Sequence, residues 1–435
     1  MQRARSFLII FALLIACQSF AAEISPKSQK GKDEIYRKLE VFTKILSYVE
    51  NNYLEEVPTR DLIEAAIRGM LMILDPHTDY MGKEYFREMK EDTSGQFGGL
   101  GMEVTLKDNV LTVISPIEDT PASRGNIQAG DQILSIDGLS TKGIGLVDAV
   151  NRMKGPIGSD VKLLILRQGS NDPREVILKR EIIKIKSVES KLIDTAFAFS
   201  RIKSFQERTS LDLDRQLKEL EKKIPGGKIK GLVLDLRNNP GGLLDEAVAV
   251  VDLFIDSGII VTTEGRRDTF KEVERAHHKE TTRGDFPIIT LVNEGSASAS
   301  EIVAGAFQDH SRAVILGTRT FGKGSVQTII DLEDGSGLKL TIAKYKTPSG
   351  RSIQAKGIVP DITVEQAPPK PEDEQGIIRE KDLEGHLKEE TLPARTEESK
   401  RLEKAFNGDI QLARAVEYLR TWDVFKTRLP WKTKK

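Results

Sequence analysis

The apolar positions of this chain follow two different periods, and the switches between them divide it into segments. From residue 33 to 53, Ile35, Leu39, Phe42, Leu46, Val49 and Tyr53 recur at three- and four-residue intervals, the spacing of one face of an amphipathic helix. Pro58-Thr59 opens a second helical pattern through Leu62, Ala66, Ile67, Met70, Leu71 and Leu74, in keeping with proline at a helix start. Asp75-Pro76-His77-Thr78-Asp79 closes it as a loop. Residues 33–90 are therefore predicted to be an N-terminal helical segment, read either as a docking or dimerising element or as part of a core.

Residues 94–182 change to short β-type runs separated by Gly-rich turns. These are Met102–Leu106, Val110–Ile114, Gln132–Ile136, Val161–Arg167 and Glu175–Lys179, with one helical stretch near Gly145–Met153. A small, mostly β domain is expected. From about 184 to 365 strands and helices alternate. Residues 230–236 form an apolar run of the kind buried on both faces of a sheet. A turn, Asn238-Asn239-Pro240-Gly241-Gly242, and a helix, Leu243–Phe254, follow it. The order repeats with strand Ile288–Val292, turn Asn293-Glu294-Gly295 and helix Ala297–Gln308. Such alternation predicts an α/β domain. The stretch 366–400 is rich in Pro, Glu and Asp and reads as a solvated linker. Helical spacing returns in 401–435, for example at Ile410, Ala413, Val416 and Leu419.

Composition adds boundaries to this picture. The chain has 435 residues, 39% of them apolar, and a formal net charge of −1. That is enough apolar material for two to four cores, with no charge bias toward nucleic acid or a membrane surface. Arg3 and Arg5 precede an apolar run from Phe7 to Ala16. The run is short for a bilayer span and has the layout of a secretory signal peptide, with cleavage after Ala21 or Ala22. Leu14-Ile15-Ala16-Cys17 also resembles a lipoprotein lipobox, so residues 1–22 read either as an ordinary signal or as a lipid-anchoring one. Export to the periplasm or cell envelope is expected in both cases. Cys17 is the only cysteine, which excludes an internal disulfide and a cysteine-based zinc site. No metal and no cofactor is expected.

Three turns carry candidate chemistry. Gly295-Ser296-Ala297-Ser298-Ala299-Ser300-Glu301 crowds small residues at a strand-to-helix turn. Unpaired N–H groups and the positive end of a helix dipole lie there. A serine in that place could attack a carbonyl while nearby N–H groups hold the oxyanion. Ser298-x-x-Glu301 fits a helix capping box equally well. None of the five histidines (77, 277, 278, 310, 386) stands in a motif that pairs with this serine. Lysine is the other available base. Lys323 sits between two glycines in Phe321-Gly322-Lys323-Gly324-Ser325-Val326-Gln327. Its pKa must fall by about three units from ~10.4 for it to act as a base near neutrality, which burial against apolar neighbours can supply. A solvated hairpin tip is the alternative reading. The third turn, with Gly241-Gly242 between a buried strand and a helix, can aim a backbone N–H into a cleft, or be only a turn.

Taken in order, these motifs resemble the carboxyl-terminal processing (tail-specific) serine proteases. The resemblance rests on Asp235–Gly242, Gly295–Ala306, Gly317–Gln327, Thr347–Gln354 and Gly357–Ile362, with Leu74–Thr78 upstream. It spans roughly residues 35–365, with a weaker echo near Gln411–Leu419. It implies an α/β protease core of crotonase-like, ClpP-like fold, with an inserted PDZ domain and helical segments at both ends. It also implies Ser298 as nucleophile, Lys323 as general base and Gln327 as the residue that orients the lysine. The N–H groups of Ala299 and of Gly241 or Gly242 would form the oxyanion hole. Glu301 falls where some family members place an acid near the dyad. Gly98-Gly99-Leu100-Gly101 would hold a peptide's terminal carboxylate, with the peptide added as a strand at the sheet edge. Arg167 reads either as a link from the PDZ domain to the protease core or as a surface charge. The implied partners are protein substrates held by their C-termini, an adaptor or activator, and further copies of the chain. No nucleic acid is expected, and a membrane only through Cys17. Two other classes fit parts of the pattern: an envelope scaffold with an inactive protease core, and an acyl-CoA enzyme of crotonase-like fold. The intact Ser298 and Lys323 oppose the first, and the signal segment opposes the second.

Overall fold

The computed structural model describes residues 26–366 and 408–428, apart from 168, 171, 194, 195, 267–270, 281 and 285. The signal segment with Cys17, His386 and the expected linker lie outside the described residues. The described residues fall into two compact units, divided between Tyr80 and Met81.

In the first unit, α1 (Pro26–Asn52) and α2 (Thr59–Met72) realise the two helical patterns. Their apolar residues Ile35, Leu39, Phe42, Ile63 and Met70 line a groove between the helices, and Leu39 keeps 53% of its surface exposed. Asp75 accepts from the N–H groups of His77 and Thr78 and from the Thr78 hydroxyl, which shapes the loop after α2.

The second unit begins with α3 (Lys83–Ser94). The β module follows. β1 (Gln96–Gly99) pairs with β7 (Glu181–Lys184), closing the module where the chain leaves it. Its main sheet runs β2 (Met102–Lys107), β3 (Val110–Pro116), β4 (Gln132–Ile136), β5 (Asp160–Leu166) and β6 (Arg174–Lys179), all antiparallel. Helix α4 (Leu146–Met153) packs against it. A period of two sends Leu111 and Val113, and Leu163 and Ile165, into one core, and an irregularity in β4 between Ile133 and Ser135 brings both Ile133 and Ile136 into it.

The α/β portion is built on a six-stranded sheet. Its order is β8 (Val188–Leu192), β9 (Phe197–Ile202), β10 (Gly231–Asp235), β13 (Ile288–Val292), β14 (Ala313–Gly317) and β17 (Ile362–Thr363). Every pair after the first is parallel. Strands β10 and β13 are buried at every position. Leu232, Leu234 and Ile288 pack under α5 (Thr209–Lys223), α6 (Leu244–Asp252) and α7 (Ala299–Asp309). Val233, Ile289 and Leu291 point the other way, under Leu412, Ala415, Val416 and Leu419 of α8 (Ile410–Arg428). The C-terminal helix thus covers the central strands β10, β13 and β14 on one face of the sheet. A second, antiparallel sheet holds β11 (Gly258–Gly265), β12 (Lys271–Ala276), β15 (Ser325–Asp331) and β16 (Gly337–Lys346).

Candidate active site

Parallel α/β sheets gather their loops at the carboxyl ends of the strands. Here the turns after β10, β13 and β14 converge on a cleft of about 1230 Å³ whose wall includes Gly241, Gly242, Ser298, Lys323, Gln327 and Tyr345. No histidine lines it among the described residues. His310 is at the far end of α7, where Nε2 meets the Ile259 carbonyl oxygen.

The serine run after β13 divides its labour. The hydroxyl of Ser296 donates to the Leu236 carbonyl at 2.8 Å, and that of Ser300 to the Asn239 carbonyl at 2.9 Å. Both serines are fully buried, and they stitch this turn to the one after β10. Asn293 adds to the seam, accepting from the Asn238 N–H at 2.8 Å. Ser298 alone of the run lines the cleft. It precedes α7 with φ 54° and ψ −112°, a region that side-chain-bearing residues avoid at a cost of about 1–3 kcal/mol. The geometry is that of a sharp strand-to-helix elbow, which exposes a nucleophile at the head of a helix.

Glu301, on the first turn of α7, is fully buried. Its Oε2 accepts the N–H of Ser298 at 2.9 Å, the return bond of a capping box. The same carboxylate also accepts the Thr320 hydroxyl at 2.5 Å and the N–H groups of Gly322 at 2.7 Å and Lys323 at 2.8 Å. One carboxylate thus fixes the backbone of the serine turn and of the lysine turn together.

The glycines around Lys323 serve close approach. A Cβ on Gly324 would lie 2.5 Å from the Gln354 nitrogen, and one on Gly322, at φ +96°, 3.1 Å from the Gly357 nitrogen. The segment 354–357 is pressed against the lysine turn, and only glycine leaves room. Lys323 itself is half-buried, so it is no solvated hairpin tip. Gln327 follows on β15, where its amide nitrogen donates to the Ser325 hydroxyl at 2.8 Å.

The Gly-Gly turn abuts the serine. A Cβ on Gly241 would lie 2.9 Å from the Ser298 Cβ and 3.1 Å from the Ala299 nitrogen. The Gly241 N–H is already given to the Asn239 Oδ1 at 2.9 Å. Gly242 is held through its neighbours, in the bonds Phe205 N–H to Gly241 O and Leu243 N–H to Phe205 O, and neither uses the Gly242 N–H. Of the two glycines, the second has the donor to spare.

Below this turn lies a buried ion cluster. Arg237, 7% exposed, donates to both oxygens of Asp235 and both of Asp409, and to Gln411. Burial disfavours its charge, but the two carboxylates outweigh that and hold its pKa well above the ordinary arginine range. Burial likewise opposes the Asp409 carboxylate, and Arg237 overrides it, leaving its pKa below the usual value. The cluster ties α8 to the turn that carries Gly241 and Gly242.

The chain is 47% identical to the carboxy-terminal-processing protease of Bartonella bacilliformis over 82% of each chain. It belongs to the carboxy-terminal-processing proteases of peptidase family S41. The S41 family model matches residues 197–364, a PDZ domain model residues 88–166, and the model of the activating protease CtpB N-terminal domain residues 11–85. The carboxy-terminal processing protease CtpA of Bacillus subtilis is 34% identical over 84% of this chain and 78% of its own. Among solved structures, the photosystem II D1 C-terminal processing protease aligns over 73% of this chain and 86% of its own, at 32% identity and TM-score 0.44. This S41 chain is accordingly a serine-type peptidase with a PDZ domain, and its α/β portion is the protease core.

In the PDZ domain of this S41 protease, Leu100 is buried in the core and Gly101 takes φ +76°. The Leu100 and Gly101 carbonyls accept from the N–H groups of Ala122 and Ile117, while no hydrogen bond among the described residues occupies the Leu100 and Gly101 N–H groups. Beside this loop, among the described residues β2 pairs only with β3 and leaves its other edge open. The half-buried Met102, Val104, Leu146 and Val150 stand between β2 and α4. Arg167 stays within the domain: it bonds both Asp131 oxygens and the Asn126 carbonyl. Burial opposes the Asp131 charge, but Arg167 and the Gln128 N–H outweigh it and keep the carboxyl below its usual range. Sequence reading missed the Arg237 cluster and Tyr345. The first had a faint signal in Asp235-x-Arg237 and Asp409-x-Gln411, but nothing in the sequence joins residues so far apart.

Proposed function

We propose that this protease cleaves exported proteins near their C-termini by a Ser298–Lys323 acyl-enzyme mechanism. The observation that carries the reading is the strained Ser298 elbow, locked by Glu301 to the turn that bears Lys323. Lys323 takes the Ser298 proton, and Oγ attacks the scissile carbonyl. The oxyanion lies between the N–H groups of Ala299, an unpaired position at the head of α7, and Gly242. Gln327 has its amide nitrogen committed to Ser325, which leaves its carbonyl oxygen to orient the lysine ammonium. Protonated Lys323 then serves the leaving amine, and neutral Lys323 activates the water that frees the acyl group. Helix-head N–H groups in a partly enclosed cleft are a strong source of transition-state stabilisation.

The PDZ loop Gly98–Gly101 takes the substrate's terminal carboxylate, and its last side chain enters the apolar space between β2 and α4. Backbone recognition of this kind selects for a free, unstructured tail rather than for a sequence. The PDZ domain also gates the cleft, and the N-terminal signal pattern supports a place in the cell envelope.

The test is cleavage of an unstructured peptide with an apolar C-terminal residue, with products mapped by mass spectrometry. Wild type should cut it, and a charged C-terminus should slow the reaction. Ser298→Ala and Lys323→Ala should be inactive, and cutting by Ser298→Ala would sink the assignment of the nucleophile.

A further inference from the structure

Tyr345 lies on β16, opposite Thr263 of β11. It is 6% exposed, and its ring belongs to the core beneath α6 and α7. Two contacts tie it to both catalytic turns. Its N–H donates to the Gly324 carbonyl at 2.7 Å, next to Lys323. Its phenol hydroxyl shares a hydrogen bond with the side chain of Ser298 and forms part of the cleft wall. A residue needed only for packing would have no reason to bring a polar atom to the nucleophile; phenylalanine would fill the core as well.

A serine hydroxyl has one proton and two lone pairs and turns freely unless something fixes it. For Lys323 to take the proton, the O–H must point at Nζ while a lone pair faces the substrate carbonyl. A second donor on Oγ selects that rotamer. Resting on the Ser298–Lys323 reading, the geometry points to Tyr345 as a third catalytic group, whose hydroxyl donates to Ser298 Oγ. It orients the serine and stabilises the negative charge that Oγ gains as its proton moves to Lys323 Nζ. The tyrosine keeps its own proton throughout; the bond formed is Oγ to the substrate carbonyl carbon, and the bond broken later is the one to the leaving amine.

The surroundings favour a phenol that stays protonated. Burial is the main influence and pushes its pKa up; Asp245, on the same cleft wall, adds to the effect, and the Ser298 hydroxyl, which would donate to the phenol oxygen once that oxygen is ionised, opposes it, leaving a value of about 12. Near neutral pH the hydroxyl is therefore a donor.

The experiment compares the full chain as wild type, Ser298→Ala, Tyr345→Phe and a form with 3,5-difluorotyrosine at position 345, using the same unstructured apolar-tailed peptide. Tyr345→Phe should lower kcat about 100-fold with KM unchanged. The difluoro form keeps the ring and shape but has a more acidic phenol. Its kcat should match wild type at low pH and fall at a lower pH on the alkaline side, as the donor ionises. Equal kcat in wild type and Tyr345→Phe, or identical pH profiles for wild type and the difluoro form, would overturn the role of Tyr345 and leave the dyad standing. Activity retained by Ser298→Ala would overturn the dyad and this inference with it. Should Tyr345→Phe fold poorly, the difluoro pH profile decides alone.

Discussion

Glu301 Oε2 accepts the N–H of Ser298 at 2.9 Å and the N–H of Lys323 at 2.8 Å. Two turns from different parts of the chain thus share one oxygen atom of one buried side chain. The separation between them is set by the size of a carboxylate, which is the kind of rigid support a catalytic pair requires.

Replacing Glu301 by Gln keeps the shape but exchanges one acceptor oxygen for an NH2 donor. Donors from Ser298, Thr320, Gly322 and Lys323 surround the site, so some would face another donor. Each buried unpaired group costs about 1–3 kcal/mol. Glu301→Gln should lower stability by about 2–4 kcal/mol and reduce kcat, as measured by urea unfolding and peptide cleavage.

Gly324→Ala places a Cβ against the Gln354 backbone, whereas one at Gly284 meets nothing within 4 Å. Gly324→Ala should therefore displace Lys323 and remove most of the activity. Gly284→Ala should retain it. Kinetics on the two purified variants check the contrast.

Asp409 has a folded-state pKa below its unfolded value because of Arg237. A depressed carboxylate gives stability that is present above the unfolded pKa and lost as pH falls through the folded one. The unfolded value is near 3.8. Asp409→Asn should therefore destabilise the protein at pH 7, and the gap to wild type should close below about pH 4. Urea unfolding at a series of pH values reads this directly. Hydrogen exchange in α8 should rise in the variant, since the cluster holds the start of that helix.

The PDZ reading makes a paired prediction. A peptide with a free carboxyl end and an apolar last residue should bind, and the same peptide with an amidated end should bind about 10-fold or more weakly, through loss of charge-assisted bonds to the loop. Leu146→Glu, which puts a charge between β2 and α4, should weaken binding of the free-ended peptide. Fluorescence anisotropy separates these effects from cleavage.

Much of this was open to reading in one dimension. Leu232, Val233 and Leu234 are apolar without alternation because β10 is covered on both sides, so the pattern reports burial directly. Gly322 and Gly324 signalled a tight approach of chain, and the tight approach is there. The alternation of β10, α6, β13 and α7 was visible because each element is contiguous and carries its own period. The PDZ strands were legible for the same reason.

The sequence by itself determined the elements, their order and the candidate dyad, since periodicity, turn chemistry and motif spacing are local properties of the chain. Only the tertiary structure showed why Ser296 and Ser300 do not compete with Ser298 for the cleft: their hydroxyls are taken by carbonyls of a different turn. It likewise decided that Gly241 spends its N–H on Asn239, that Glu301 serves two turns, and that Arg237 fastens α8 beneath the site. Each of these depends on groups brought within 3 Å or so by packing of distant segments, and no spacing along the chain encodes which of the available partners a buried polar group will meet.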